Sequence, residues 1–166
     1  MSSNLNHRVV HSSEANSIAP VTAWFDGCCD AICAAIREAD EVVACVAWLK
    51  CPRIIAALRT KPCTVLITSD TVHRRNRGAL RTLIPRAGTR AVRIVGRARG
   101  RFRALMHNKF LVVIQGGVPV SVLTGSFNYT AHSSRNLENV VRIDCPIVAA
   151  AYLEEAMHIN EIARDI

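Results

Sequence analysis

The chain is 166 residues long, half of its residues are apolar, and its formal net charge is +8. This length suits one domain that buries about two-thirds of the surface of its unfolded chain. The longest apolar runs, 42–49 and 110–114, are far too short to span a bilayer, and residues 1–17 lack the apolar core of a signal peptide. Composition therefore argues against a membrane-spanning protein and favours a soluble one.

The cysteines indicate a reducing environment. There are seven of them, an odd number, and none form a C-x-x-C pair. A zinc site is therefore not expected. Several fall in apolar runs, where cysteine behaves as a small buried hydrophobe. We expect reduced thiols in a cytoplasmic or nuclear compartment.

The first two-thirds of the chain alternate between helix-like and strand-like segments, after an N-terminus over 1–6 that is expected to be disordered. Apolar spacing predicts a short edge strand over 7–12 and three helices over 21–39, 52–58 and 76–87. Three buried strands are predicted over 42–48, 63–68 and 91–95. Pro52 suits the first turn of its helix. An arginine-rich loop or edge is expected over 96–103.

The last third is predicted to hold three strands and a closing amphipathic helix, over 109–115, 119–124, 137–144 and 147–163. The first two of these strands flank Gly116-Gly117, which is a hairpin signal. Helices that alternate with buried strands, followed by a hairpin, indicate an α/β fold with a mixed sheet. Residues 7–166 are therefore predicted to form a single domain with helices on both faces of the sheet.

Charge is distributed unevenly along the chain. No Asp or Glu occurs between positions 71 and 137, and eleven arginines lie between positions 74 and 103. Such a field favours a polyanion as partner, DNA or RNA, because phosphate contacts release condensed counterions. If the segment is extended, its alternate arginines line one face and can follow a phosphate backbone: Arg97, Arg99, Arg101 and Arg103. Arg135 is a further candidate for a phosphate contact. The alternative is a solvated basic surface that only aids solubility.

Polar side chains gather at the ends of predicted strands. His107 and Lys109 lie two residues apart at a strand start, so both project from the same face. Ser126 and Asn128 are also two residues apart, just after the strand predicted over 119–124. Glu138 lies at the start of the strand predicted over 137–144. A candidate nucleophile, a cation, two hydrogen-bonding groups and a carboxylate together suit the handling of a phosphate.

Each of these residues also has a structural interpretation. His107 could be a core histidine bonded to a backbone carbonyl, and Ser126 and Asn128 could be ordinary turn residues. Glu138 could pair with Arg135 at the surface. These interpretations remain alternatives to the catalytic one.

Other aromatic and histidine side chains are assigned to other roles. Trp24 and Trp48 are interpreted as packing residues rather than base-stacking platforms. His73 and His132 lie in basic or polar surroundings and are interpreted as surface or phosphate-contacting groups rather than catalytic ones.

Three elements in this order resemble the signature of the phospholipase D superfamily: His107-Asn-Lys109, Gly125-Ser126-Phe-Asn128 and Asn136-Leu-Glu138-Asn139. The signature resembles that of single-motif bacterial endonucleases of the Nuc type and, next, that of the mitochondrial cardiolipin hydrolase/piRNA nuclease group. The predicted order of helices and strands also resembles that of the phospholipase D-like half-domain, the unit that carries one such motif. The family usually has an Asp, mainly structural in role, five residues after the lysine, where this chain has Ile114. The spacing from His107 to Gly125 is also longer than usual.

The resemblance implies a mechanism. A neutral His107 imidazole attacks phosphorus and forms a phosphohistidine, while a second imidazole protonates the departing alkoxide and then activates water. Lys109 and Asn128 stabilise charge on the non-bridging oxygens, Ser126 adds a hydroxyl donor, and Glu138 orients an imidazole.

The resemblance also implies an assembly. The chain has one His-x-Lys motif, so the second histidine would come from the other copy in an obligate homodimer with one composite active site. The lysines and asparagines supply the electrostatic stabilisation, so no divalent metal or other cofactor is required.

These implications predict a metal-independent phosphodiesterase, and the basic stretch favours a non-specific endonuclease acting on DNA or RNA. A phospholipid or cardiolipin hydrolase is the enzymatic alternative, because the same chemistry serves lipid phosphodiesters and basic surfaces bind anionic membranes. No stable membrane association is expected. A catalytically inactive nucleic-acid-binding member of the family is the third possibility, motivated by Ile114.

Overall fold

The computed structural model describes residues 19–68, 90–96 and 105–165, together with positions 78, 80 and 83. The strands in these residues are β1 (Val21–Trp24), β2 (Glu41–Val46), β3 (Cys63–Thr68), β4 (Arg90–Val95), β5 (Lys109–Gln115), β6 (Val118–Gly125), β7 (Val140–Ile143) and β8 (Arg164–Asp165). The α-helices are α1 (Cys28–Glu38), α2 (Pro52–Leu58) and α3 (Pro146–Glu161). Several predicted features lie outside the described residues: the disordered 1–6, the strand over 7–12, most of the helix over 76–87, and Arg97, Arg99, Arg101 and Arg103.

The eight described strands form one mixed sheet in the order β1-β7-β6-β5-β2-β3-β4-β8. Strands β2, β3 and β4 run parallel to one another, and the remaining pairs are antiparallel. Helices α1 and α2 cover one face of this sheet, and α3 covers the other. The predicted α/β class, with a mixed sheet between helical layers, is confirmed.

The side chains of β2 show how the core is divided between the two faces. Ala44 and Val46 pack in a cluster with α1 and α2, whereas Val43 and Cys45 pack in a cluster with α3. Successive side chains on a strand point to opposite faces, so a strand covered on both sides must be apolar throughout. The continuous apolar run of β2 is therefore explained by its central position.

The helix predicted over 21–39 is wrong in its first part. Val21–Trp24 forms strand β1, which pairs antiparallel with β7, and α1 begins only at Cys28, after Gly27 with φ of 66°. Pairing with a strand that lies more than a hundred residues further along the chain decides the conformation here, against the local apolar spacing.

The C-terminal end also differs from the prediction. Helix α3 ends at Glu161, and β8 then adds to the sheet edge beside β4. Arg93 of β4 holds this end, because its guanidinium donates to Asn160 Oδ1 at 2.8 Å, to Ala163 O at 2.9 Å and to Asp165 Oδ1 at 3.2 Å. One arginine of the basic stretch is therefore structural. Among the described helices, none is both long enough and apolar enough to cross a membrane.

The hairpin between β5 and β6 forms at the predicted glycines. Gly116 and Gly117 both have positive φ, 56° and 78°, as a two-residue type I′ turn requires. Ile114, at the family's aspartate position, is only 7% exposed and packs in the cluster that faces α3. It lies seven residues beyond His107, at the opposite end of β5, so it is a packing residue remote from that histidine.

Candidate active site

Antiparallel pairing brings the polar residues of four segments to one edge of the sheet. The start of β5 lies beside the end of β2, where Lys109 pairs with Val46, and beside the end of β6. The end of β6 lies beside the start of β7, where Gly125 pairs with Val140. The segments that precede β5 and β7 therefore meet the segments that follow β2 and β6.

His107 and Lys109 are in direct contact. The Nζ atom of Lys109 donates to the backbone oxygen of His107 at 2.9 Å and lies 3.1 Å from the Nδ1 atom of the His107 ring. Partial burial lowers the pKa of His107, and the charge of Lys109 lowers this pKa further. Both effects favour the neutral form of the exposed imidazole, the form in which a ring nitrogen can act as a nucleophile.

Lys109 is itself half-buried, and burial lowers the pKa of its ammonium group. The negative charge of Glu138 opposes this shift, so it helps Lys109 remain a cation. Lys109 in β5 and Glu138 in the segment before β7 are thus coupled electrostatically across β6, although no hydrogen bond joins their side chains.

The carboxylate of Glu138 is held by two side chains. The Ser126 hydroxyl donates a short hydrogen bond to Glu138 Oε2, and Asn136 Nδ2 donates to Glu138 Oε1 at 3.2 Å. The Ser126 hydroxyl also accepts from the backbone N–H of Asn139 at 3.0 Å. The hydroxyl hydrogen is therefore directed at a carboxylate, and Ser126 positions Glu138.

Gly125 allows the close approach that this arrangement requires. A Cβ atom at this position would lie 2.3 Å from the backbone oxygen of Asn139. The same oxygen accepts from Ser126 N at 3.2 Å and from Phe127 N at 3.3 Å. Only glycine lets β6 end against the segment before β7 and place Ser126 beside Glu138.

Beside these residues lies an open cleft of about 490 Å³, here called the site cleft. Its lining includes Trp48, Lys50, Asn128, His132, Asn136 and Glu138. The side-chain oxygen of Asn128 is buried there and has no hydrogen-bond donor among the described residues. The cleft thus offers cationic and amide groups to a ligand.

Trp48 connects the site cleft to His107. Its indole ring meets the His107 imidazole edge-on, with ring centroids 5.4 Å apart and an interplanar angle of 81°. Sequence reasoning assigned Trp48 to packing, yet the side chain is half-buried at the edge of the cleft. Alternation predicts this placement, because Trp48 follows a buried strand between Ala47 and Leu49, both of which are fully buried.

Two large apolar side chains stand exposed on the other side of Glu138. Phe25 is 77% exposed and Leu137 is fully exposed. Together with Ser126, Glu138 and Asn139 they line a shallow depression. Exposed apolar groups of this size beside a polar site are typical of an interaction surface.

Six of the ten predicted site residues lie among the described residues. His107 and Lys109 are in contact, and Ser126 bonds to Glu138, while Asn128 lies on the wall of the site cleft. Arg135 is exposed on a short 3₁₀ helix, Ser133–Arg135, close to this cleft. Glu138 bonds to Ser126 and Asn136 rather than to Arg135, and no imidazole of the described chain contacts its carboxylate.

Comparison with known proteins agrees with this fold. A family model described as cardiolipin synthase, PLD-like domain, matches residues 21–159. A comparison with curated protein sequences gives no match. Among solved structures, Nuc from Salmonella typhimurium, a phospholipase D family member, has a TM-score of 0.68 at 22% identity, over 90% of this chain and 99% of that chain.

Two further solved structures share the fold at lower identity. NucT from Helicobacter pylori has a TM-score of 0.71 at 13% identity, over 90% of this chain and all of that chain. Phosphatidylserine synthase from Haemophilus influenzae has a TM-score of 0.63 at 16% identity, over 90% of this chain but only 40% of that chain. The half-domain is therefore shared by proteins with different names and sizes.

Fold and family match together support a phosphodiesterase-type enzyme. Because the family model covers most of the chain, the chain belongs to the family of PLD-like domains.

Proposed function

We propose that the protein is a metal-independent endonuclease of low sequence specificity that cleaves DNA or RNA through a phosphohistidine. The observation that carries the proposal is the exposed imidazole of His107 with the Lys109 ammonium 3.1 Å away, beside an open cleft, and this cation and partial burial lower the pKa of the imidazole. A neutral imidazole can attack phosphorus, and an adjacent cation stabilises the negative charge that develops on the phosphoryl oxygens.

The proposed reaction has two displacements. An imidazole nitrogen of His107 forms a bond to phosphorus while the bond from phosphorus to the leaving oxygen breaks, and a second imidazole gives that oxygen its proton. Water then attacks phosphorus, the same second imidazole takes a proton from the water, and the bond to His107 breaks. Lys109 and the Asn128 amide bind the non-bridging oxygens, and Glu138, held by Ser126, orients an imidazole.

The second imidazole is assigned to His107 of another copy of the chain. No second histidine of the described chain contacts His107, Lys109 or Glu138. The exposed apolar side chains of Phe25 and Leu137 lie next to Glu138, where a two-fold axis would bring the two sites together. We propose that these two residues form the centre of a homodimer interface.

Nucleic acid is favoured as the substrate by charge. The chain between positions 71 and 137 lacks acids, and the arginine-rich part of this stretch, 74–103, comes shortly before His107. Arg97, Arg99, Arg101 and Arg103, with the exposed Arg135, are proposed to contact the phosphate backbone. Contacts to phosphates carry no sequence information, so low sequence specificity is expected.

A phospholipid hydrolase is the second candidate, and one observation favours it. Phe25 and Leu137 are exposed next to Glu138, as side chains that enter a lipid surface would be. The arginine-rich stretch suits both polyanions, but a dimer interface at these residues would remove them from a membrane. Both candidates need the second histidine from another copy of the chain, so the preferred substrate, nucleic acid or phospholipid, separates them.

Three measurements test the proposal. Purified protein in EDTA is expected to cleave single-stranded DNA and RNA, and His107→Ala to lose at least about a thousandfold of this rate. Turnover of cardiolipin vesicles in preference to nucleic acid would overturn the nuclease assignment. Salt-dependent DNA binding without cleavage would indicate an inactive binding protein.

Mixed dimers test the composite site. If each active site uses both histidines, the activity of re-equilibrated mixtures of native and His107→Ala chains falls as the square of the native fraction. Independent sites would give a linear decrease. Leu137→Asp is expected to yield an inactive monomer, whereas Val118→Asp, which is also exposed but at the far hairpin, leaves dimer and activity intact.

A further inference from the structure

We propose that Trp48 is a stacking platform for the nucleobase next to the phosphate that His107 attacks, and that it gives the enzyme a preference for unpaired strands. The inference rests on the nuclease function proposed above and names a specificity-determining residue of the same site. The indole ring contacts the reacting imidazole at a centroid distance of 5.4 Å and also borders the site cleft. One aromatic side chain thus joins the reacting group to the space that a substrate enters.

The backbone on either side of Trp48 is fixed by hydrogen bonds. Ala47 N donates to Asn108 O at 3.0 Å, in the segment that carries His107. Lys50 N donates to Tyr129 O at 2.7 Å, in the segment that follows Asn128. The indole is thus carried by a segment anchored to both walls of the site, so little conformational entropy is lost when a ligand stacks on it.

Alternation sets the direction of the side chains in this segment. Ala47 and Leu49 are fully buried, whereas Trp48 and Lys50 are half-buried and line the site cleft. An aromatic ring and an ammonium group two residues apart therefore face the same space. This pair matches the two repeating parts of a nucleic-acid strand, a base with an aromatic face and an anionic phosphate.

The geometry favours a nucleobase over other occupants. In a strand whose phosphate lies at His107, the flanking base is one sugar away, which is comparable to the separation of the two protein rings. Stacking between a base and an aromatic side chain stabilises binding by about 1–3 kcal/mol and tolerates any base. A lipid headgroup presents no aromatic face to the indole.

A consequence follows for the form of the substrate. A base that stacks on Trp48 cannot stay stacked and paired in a duplex, so the stacking energy is available only to single strands, loops and frayed ends. The ratio of single-strand to duplex cleavage is therefore expected to depend on Trp48.

The test uses substrates with a single phosphodiester bond. Trp48→Ala is expected to lower kcat/KM for thymidylyl-thymidine by about tenfold, and Trp48→Phe to retain most of it. Dinucleotides that lack one base or the other identify the stacked position. On the dinucleotide that lacks the stacked base, Trp48→Ala is expected to change kcat/KM by less than about twofold. Trp24→Phe serves as the matched control at the other tryptophan.

A binding measurement separates this inference from the catalytic one. In a His107→Gln protein that also carries Trp24→Phe, Trp48 is the remaining tryptophan, and its fluorescence is expected to be quenched by a short thymidine oligonucleotide but not by an abasic strand. That result supports the subsite even if the nuclease assay fails. If Trp48→Ala lowers kcat/KM equally on all dinucleotides, Trp48 only positions His107 and the proposal is wrong. It is equally wrong if Trp48→Ala leaves kcat/KM unchanged, or if the fluorescence of Trp48 responds to cardiolipin vesicles alone.

Discussion

The Nζ atom of Lys109 lies 3.1 Å from Nδ1 of His107, so the cation of the His-x-Lys pair rests against the ring that is proposed to be phosphorylated. Burial and this charge both lower the imidazole pKa. Lys109→Met is therefore expected to raise the pKa of His107 and to move the acid limb of kcat/KM to higher pH, while kcat falls because charge stabilisation is lost.

An NMR titration of the imidazole measures this pKa without relying on activity. Lys50→Met is the matched control, because it removes a cation that lines the site cleft rather than the one that lies against the ring. If the pKa of His107 stays the same or falls in Lys109→Met, the electrostatic coupling described for this pair is wrong.

The second prediction concerns the end of β6. Gly125→Ala would place a Cβ atom 2.3 Å from the backbone oxygen of Asn139, so the two segments must separate. We expect a loss of about 2–3 kcal/mol in the free energy of unfolding, together with a loss of activity. Chemical denaturation measures the first effect. Gly78→Ala, where a Cβ atom meets nothing within 4 Å, is expected to be at least as stable as the native chain.

The third prediction concerns the hydrogen bond from Ser126 to Glu138. Ser126→Ala removes a donor from the carboxylate and an acceptor from Asn139 N–H, and should lower activity about tenfold with a loss of about 1 kcal/mol in stability. Glu138→Gln keeps the shape but removes the charge that supports the Lys109 cation, so its kcat should fall further. An equally active Glu138→Gln protein would exclude an electrostatic role for this carboxylate.

The fourth prediction concerns the position at which the family usually has an aspartate. Ile114 is buried in the apolar cluster facing α3, so Ile114→Asp is expected to lower the free energy of unfolding by about 3 kcal/mol. Ile114→Val, the conservative control, should cost about 1 kcal/mol. Activity per folded molecule should not rise in either variant. A more active or more stable Ile114→Asp protein would mean that the aspartate's role can be restored here.

Local patterns were sufficient for much of the fold. The strand Cys63–Thr68 and the helix Pro52–Leu58 have the predicted bounds, because a continuous apolar run and a proline at the first helical position are local signals. Strand β1 could not be found in this way. Its conformation depends on pairing with β7, and the sequence between the two strands contains no sign of that contact.

The site was predictable only in part for the same reason. Strand parity indicated that His107 and Lys109 share a face, and they are in contact. The bond between Ser126 and Glu138 spans twelve residues and exists because Gly125 lets two segments approach closely, which no local pattern reports. Trp48 alternates with the buried Ala47 and Leu49, which was a local sign that its side chain leaves the core, but its apolar surroundings in the sequence suggested packing instead.

The most direct test of the central claim is the capture of phosphate on His107 during turnover. Native protein mixed with oligonucleotide in EDTA and quenched rapidly in alkali, where phosphohistidine survives, should show by mass spectrometry a nucleotidyl adduct on the peptide that contains His107. The adduct and the cleavage should both disappear in His107→Ala. Continued cleavage by this variant, or an adduct on any other residue, would contradict the account.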